Sequence, residues 1–357
     1  MRFRRRLPIL IVFLLIVAAI ALIVTLRKHA PPEPARLLPG ADGFFYVNLK
    51  WIRTFNATGQ LPPVSRDPDY QKFVEETGFQ FERDLDQAAF AVHYPQSWGG
   101  GTAGDSAEPR FSEIFVGKFD SSRMLPYLKK ISSSIDSYRG FDIYNILHEG
   151  RIVRVTELSY DSIVVSNHPD PNVIRGVIDR SRKLASPFGG PQLLRAYYHQ
   201  VPFASLAFAI LRVKPAVMNS LDGLAGWSLF FPKPAVVVIS GRYLRALHLQ
   251  AEAFTASESD AQSVVDKTSA FLALFHAAEG NVGTHGPDPD VKAFFDSLKV
   301  ERTKDRAVLT AIVPAGFMKK ALAESPIDES QPPAIQPQPP SPPQSPAPKP
   351  TQTPRHQ

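Results

Sequence analysis

The chain has no cysteine among its 357 residues. That absence excludes disulfides, thiolate metal sites and cysteine nucleophiles together. It also excludes the lipid-modified cysteine of a bacterial lipoprotein, so any anchoring falls to apolar sequence. A large exported domain without disulfides fits a bacterial envelope better than a eukaryotic secreted protein. Catalytic signatures are missing too. The sequence has no Gly-x-Ser-x-Gly elbow, no Ser-x-x-Lys pair and no His-Glu-x-x-His zinc motif. Acid is absent from the N-terminus: Arg2, Arg4, Arg5, Arg6, Arg27 and Lys28 all precede the first acidic residue, Glu33. Those six bases explain the net charge of +6, because the remaining 34 Lys and Arg match the 34 Asp and Glu. The body of the chain is therefore neutral. It has no excess of positive charge with which to neutralise phosphates, and a nucleic-acid partner is not expected.

What is present begins with the run from Leu7 to Leu26, LPILIVFLLIVAAIALIVTL, which carries no charge. Twenty residues at 1.5 Å each match the ~30 Å hydrocarbon core of a bilayer. A cleaved signal peptide is the second reading, but its apolar region is shorter and ends in small residues. Here Arg27-Lys28-His29-Ala30-Pro31-Pro32 follows. Four arginines before the run against two bases after it place the N-terminus in the cytoplasm. The expected order is a cytoplasmic basic segment at 1–6, a transmembrane helix at 7–26 and a stalk at 27–39. An extracytoplasmic domain follows at 40–324, with two similar halves at 40–183 and 184–324, and then a disordered proline-rich tail at 325–357. The predicted location is the bacterial inner membrane, single-pass, with the main domain periplasmic or extracellular.

Periodicity within the domain predicts mixed elements. Strands are expected at 43–49, 88–94, 114–119, 141–146, 152–158, 163–165 and 203–211, and paired strands at 235–239 and 246–254. Helices are expected at 67–77, stopped by Gly78, and at 121–132 and 171–183. Others are expected at 260–278, 291–298 and 317–322, with a hairpin of 300–302 and 307–313 before the last. In 260–278, Ala261, Val264, Val265, Thr268, Phe271, Leu272 and Phe275 fall on one stripe. Closely spaced strands favour antiparallel pairing. The class is thus α+β: mostly antiparallel sheet with packed amphipathic helices. Gly99-Gly100-Gly101 lies between two strands with no helix to follow, so it reads as a loop and not as a phosphate cradle. Asn56-Ala57-Thr58 matches a glycosylation sequon, a pattern too short to carry weight.

Three Asp-Pro elements invite a metal reading, because His168 and His285 lie near two of them. Each directly precedes a predicted helix, so Asp67, Asp170 and Asp288 read better as N-caps followed by proline in the first turn. His93, His148, His199, His248 and His276 sit within or beside predicted elements and read as structural. The acid neighbours Glu75 and Glu76, and Asp84 and Asp86, read as surface carboxylates. Phe188, Tyr197 and Tyr198 flank a Gly-Gly-Pro turn and read as core. No catalytic, cofactor-binding or metal-ligating residue is singled out. The tail is extended by its prolines. It reads first as a spacer reaching toward the cell wall, and second as a docking peptide for an aromatic groove.

Several short patterns carry a resemblance. Leu38-Pro39-Gly40-Ala41-Asp42 leads into an aromatic strand, Leu85-Asp86-Gln87-Ala88-Ala89 opens another, and Tyr138-Arg139-Gly140-Phe141-Asp142-Ile143-Tyr144 forms a turn and strand. Val165-Ser166-Asn167 is followed by Val173-Ile174-Arg175-Gly176-Val177-Ile178-Asp179. Over residues 37–322 the chain resembles bacterial membrane-anchored or exported α+β domains of unknown function. That resemblance implies the fold class and carries no catalytic residues. The functional expectation is an anchored envelope protein that binds or scaffolds, held to the membrane by Leu7 to Leu26 and facing an envelope-protein or cell-wall partner. The alternative is an extracytoplasmic hydrolase whose site is assembled from residues distant in sequence.

Overall fold

The computed structural model describes residues 30–55, 67–95, 108–182, 189–215, 226–244, 246–279 and 289–316. Several expectations lie outside them: the segment 1–6, the anchor at 7–26, the Asn56 sequon, the glycine run, Phe188, Asp288 with His285, the helix at 317–322 and the tail. Among the described residues no helix is long and apolar enough to cross a membrane.

The first half contains α1 (Glu33–Leu37), β1 (Gly43–Asn48), α2 (Leu49–Phe55), α3 (Pro68–Thr77), α4 (Phe81–Asp84), β2 (Leu85–His93) and β3 (Arg110–Gly117). It continues with α5 (Ser121–Ile131), β4 (Ser134–Tyr138), β5 (Phe141–His148), β6 (Arg151–Ser159), β7 (Ser162–Ser166) and α6 (Asn172–Arg182). The second half adds α7 (Gln192–Tyr197), β8 (Ala207–Val213), α8 (Trp227–Phe230), β9 (Ala235–Tyr243) and β10 (Leu247–Phe254). It closes with α9 (Glu258–Glu279), α10 (Pro289–Asp296), β11 (Lys299–Thr303) and β12 (Arg306–Val313).

The twelve strands described form one sheet, ordered β11-β12-β10-β9-β8-β1-β2-β3-β7-β6-β5-β4. Every pairing in it is antiparallel. The halves meet where β1 pairs with β8, Phe45 opposite Ala209. From that seam each half runs outward as three successive strands, then receives its last strand beside the third and its earlier ones beyond it. The first half has two more outer strands than the second.

Side chains alternate faces along a strand, so neighbouring residues report opposite layers. Ala89, Ala91, Ile114, Val164, Ile210 and Val238 bury one face against α1, α6 and α7. On the opposite face Ala88, Val155 and Ile163 pack with Phe79, Met124 and Leu128, under α3 and α5. Farther along that face Val92, Val213, Val237, Ala253 and Ala307 pack with Phe231 and with Val264 of α9. The result is helix, sheet, helix. Full burial of each large side chain contributes about 1.5–3 kcal/mol.

Two differences from the sequence expectation stand out. The stalk expectation is corrected at its end: Ala35, Leu37 and Leu38 are 0%, 6% and 1% exposed and sit in the central core. Pro32 is the N-cap of α1 and Pro34 lies in its first turn, so the prolines that suggest an extended stalk start a helix instead. Strand β4, Ser-Ile-Asp-Ser-Tyr, is unexpected because it is polar and mostly exposed. It is an edge strand, held by β5 on one side. The predicted stop of α3 is present: Gly78 has φ +74° and its N–H reaches the Val74 carbonyl.

Candidate functional site

Two places in the fold deserve comparison as sites: a buried polar network and an apolar cavity. The network is built on the face of β2, β3 and β7 near the loop into α6. His93 Nε2 lies 3.2 Å from Ser112 Oγ, which lies 2.9 Å from Ser166 Oγ. The His93 and His168 rings meet edge to face at 4.9 Å. Arg154 donates to the His168 carbonyl at 2.7 Å. These residues are far apart in sequence, as the hydrolase alternative requires. A serine hydrolase also needs a base able to take the proton and an opening for substrate. Burial, with His168 nearby, pushes His93 down to about 4. Burial also lowers His168. Both rings are therefore neutral bases at neutral pH. Access is what fails: Ser112, Ser166, His93 and His168 are 0%, 2%, 4% and 7% exposed. The arrangement ties three strands and a loop together and meets no substrate.

The remaining candidates from sequence are accounted for individually. Asp67 accepts from the Asp69 N–H at 2.8 Å and Asp170 from the Asn172 N–H at 2.9 Å, so both act as helix caps. His168 Nδ1 accepts from the Asp170 N–H at 3.1 Å, which ties the ring to the turn before α6. Among the described residues no group of three or more His, Asp or Glu side chains converges as a metal site. Asp84 pairs with Arg83, Asp86 with Arg53 and Glu76 with Lys130, so no two of these carboxylates share a site. His148 and His199 are exposed and His248 half-buried. Tyr197 and Tyr198 pack edge-on against Phe254 and Phe208.

A half-buried acid also escaped the sequence reading. Glu113 sits on β3 between Phe90 of β2 and Val165 of β7. Burial raises its carboxyl to about 7. Nothing in the local sequence marks it, because only the sheet register places aromatic and aliphatic neighbours around it.

The apolar cavity lies on the α9 face of the second half and has a volume of about 410 Å3. Its roof is α9, through Val264, Thr268, Phe271 and Leu272. Its floor is the sheet, through residues such as Val237, Ile239, Ala251 and Leu309. Apart from Gln250 and Thr268, every lining residue is apolar. Both polar exceptions are engaged elsewhere. The Thr268 hydroxyl donates to the Val264 carbonyl at 2.8 Å, and the Gln250 amide donates to Glu252 at 2.7 Å. Water in such a space finds no partners, so a cavity of this kind is dry or holds an apolar molecule.

The cavity exists because the predicted stripe of α9 closes on the sheet at only one end. Ala261 and Val264 are 0% and 5% exposed, whereas Phe271 is 39% exposed. The Phe271 ring meets Phe230 of α8 edge-on at 5.3 Å, and Leu229 beside it is 64% exposed. Two aromatic rings thus stand at the open end of the lining. The stripe itself is legible in sequence; the gap beneath it depends on small floor residues such as Ala251, Ala253 and Ala307.

No family model matches the chain, and no curated protein matches it. Among solved structures it is similar to crystal form I of TP0453, at TM-score 0.42 and 10% identity, covering 83% of this chain and 99% of that one. Crystal form III of the same protein is similar at TM-score 0.40 and 10% identity, covering 82% and 98%. A likeness at this level carries no argument about fold or function.

Proposed function

We propose that this chain is a binding protein of the bacterial envelope, anchored by residues 7–26, whose cavity beneath α9 takes a single apolar chain such as the acyl chain of a lipid. The observation that carries the reading is the cavity: about 410 Å3, within the size range of small-molecule sites, and lined among the described residues by apolar side chains apart from Gln250 and Thr268. Phe271, a lining residue that is 39% exposed, supports entry of a chain from a hydrophobic phase. The charge-free run and its basic flanks support residence at a membrane, where such chains are abundant.

The test is a chain-length series. Saturated fatty acids of increasing length are used to displace a fluorescent polyene fatty acid from the full chain. Each methylene buried contributes about 0.8 kcal/mol, so affinity should rise about fourfold per methylene and then level off when the cavity is full. Ala251→Trp, on the cavity floor, should shorten the length at which this happens. An affinity that climbs without a plateau, and is indifferent to Ala251→Trp, would show nonspecific partitioning and overturn the proposal.

A further inference from the structure

A second cleft, unrelated to the apolar cavity, lies at the end of the sheet where β1 gives way to α2. Tyr46, Asn48, Trp51, Tyr198, Phe203 and Tyr243 contribute to a space of about 340 Å3. Its floor is fixed. Phe208 stacks on Tyr46 at 5.3 Å and meets Tyr198 edge-on at the same distance. The Tyr46 hydroxyl donates to Gln87 at 2.9 Å. Its rim is open to solvent, with Phe203 63% and Trp51 54% exposed. Among the described residues no carboxylate, lysine or arginine lines the cleft. Flat rings set among amide and hydroxyl groups suit a ligand of rigid rings with outward carbonyls. A polyproline II segment presents that surface, and it binds with little loss of entropy because proline has already fixed its backbone.

The chain carries such a ligand. Residues 331–350 read QPPAIQPQPPSPPQSPAPKP, half of them proline, with Pro-x-x-Pro spacings at Pro337 to Pro340 and Pro343 to Pro346. The topology brings the chain out near the cleft. Val313, the last residue of β12, pairs with Leu247, and Leu247 pairs with Tyr243 of the cleft. Two strand spacings separate them, roughly 10 Å. Gly316 and Pro337 are separated by 21 steps of chain, ample to cover that distance. A tethered segment of this kind reaches an effective concentration of about a millimolar. Even a weak contact is then largely formed.

We propose that the aromatic cleft is the docking site for this chain's own proline-rich segment, residues 331–350, bound in cis in the polyproline II form. The absence of native cysteine makes the test direct. Lys50→Cys, on the exposed side of α2, and Ser341→Cys are spin-labelled in the full chain, and the distance between them is measured by pulsed electron resonance. The expected result is a short, narrow distribution that persists when labelled chain is diluted with an excess of unlabelled chain. Trp51→Ala with Phe203→Ala should broaden it and move it to long distances. A broad, long distribution in the parent chain would overturn the proposal. So would a short distance that survives both alanine changes, or one lost on dilution, which would assign the contact to a second copy. A broad distribution accompanied by tryptophan quenching with a soluble cell-wall glycan fragment would give the cleft to carbohydrate.

Discussion

Glu113 and His93 lie on adjacent strands and on opposite faces of the sheet, and burial opposes the charged form of each. The consequences for stability have opposite signs. Glu113 has its folded value raised from 4.5 to about 7, so between those values the folded state holds a proton that the unfolded state has lost. Stability contributed by the neutral acid is complete below pH 4.5 and falls as pH rises toward 7. His93 has its folded value lowered from 6.5 to about 4, so the unfolded state binds the proton first as pH falls. Its contribution is complete above pH 6.5 and is lost toward pH 4. Each shift corresponds to an upper bound of about 3 kcal/mol. In the parent chain the Glu113 slope opposes those of His93 and His168 between pH 4.5 and 6.5. Glu113→Gln should remove the Glu113 slope. Urea unfolding should then show higher stability than the parent at pH 8, and a steeper rise from pH 4.5 to 6.5 than the parent has. A variant less stable than the parent at pH 8 would contradict this account of Glu113.

At the scale of elements, the helix caps supply the sharpest prediction. Asp67 and Asp170 each satisfy an N–H that otherwise lacks a helical partner. Asp67→Ala and Asp170→Ala should each lower unfolding free energy by about 0.5–2 kcal/mol. Addition of EDTA should leave both the parent and the variants unchanged in thermal melting. A melting temperature that collapses with chelator and recovers with one metal would contradict the capping role. These caps were legible because Asp-Pro before an amphipathic run is a local signal. So were α3, α5, α6 and α9, and the hairpin of β11 and β12, whose patterns are complete within each segment. Three things were hidden. Helix α1 is five residues long, and only its docking beneath α6 and against β2 makes it part of the core. Edge strand β4 is polar because one side of it faces solvent. The cavity beneath α9 is set by how far one helix stands from a sheet, a quantity no residue pattern encodes.

At the scale of the whole molecule, one continuous antiparallel sheet joins both halves through β1 and β8. That seam leaves one end of the sheet near the aromatic cleft and commits the opposite face of the second half to α9. The polar network around His93 and Ser112 is sealed, whereas the cavity beneath α9 is lined in part by Phe271, which is 39% exposed. The proposal that the molecule holds an apolar chain rests on that contrast. The most direct test is native mass spectrometry of the full chain purified gently from bacterial membranes, compared with Ala251→Trp purified in the same way. The account predicts that the parent retains a lipid or fatty acid at one molecule per chain and that Ala251→Trp, folded to the same extent by circular dichroism, does not. Equal retention in both proteins, or none in the parent even after addition of lipid, would contradict it.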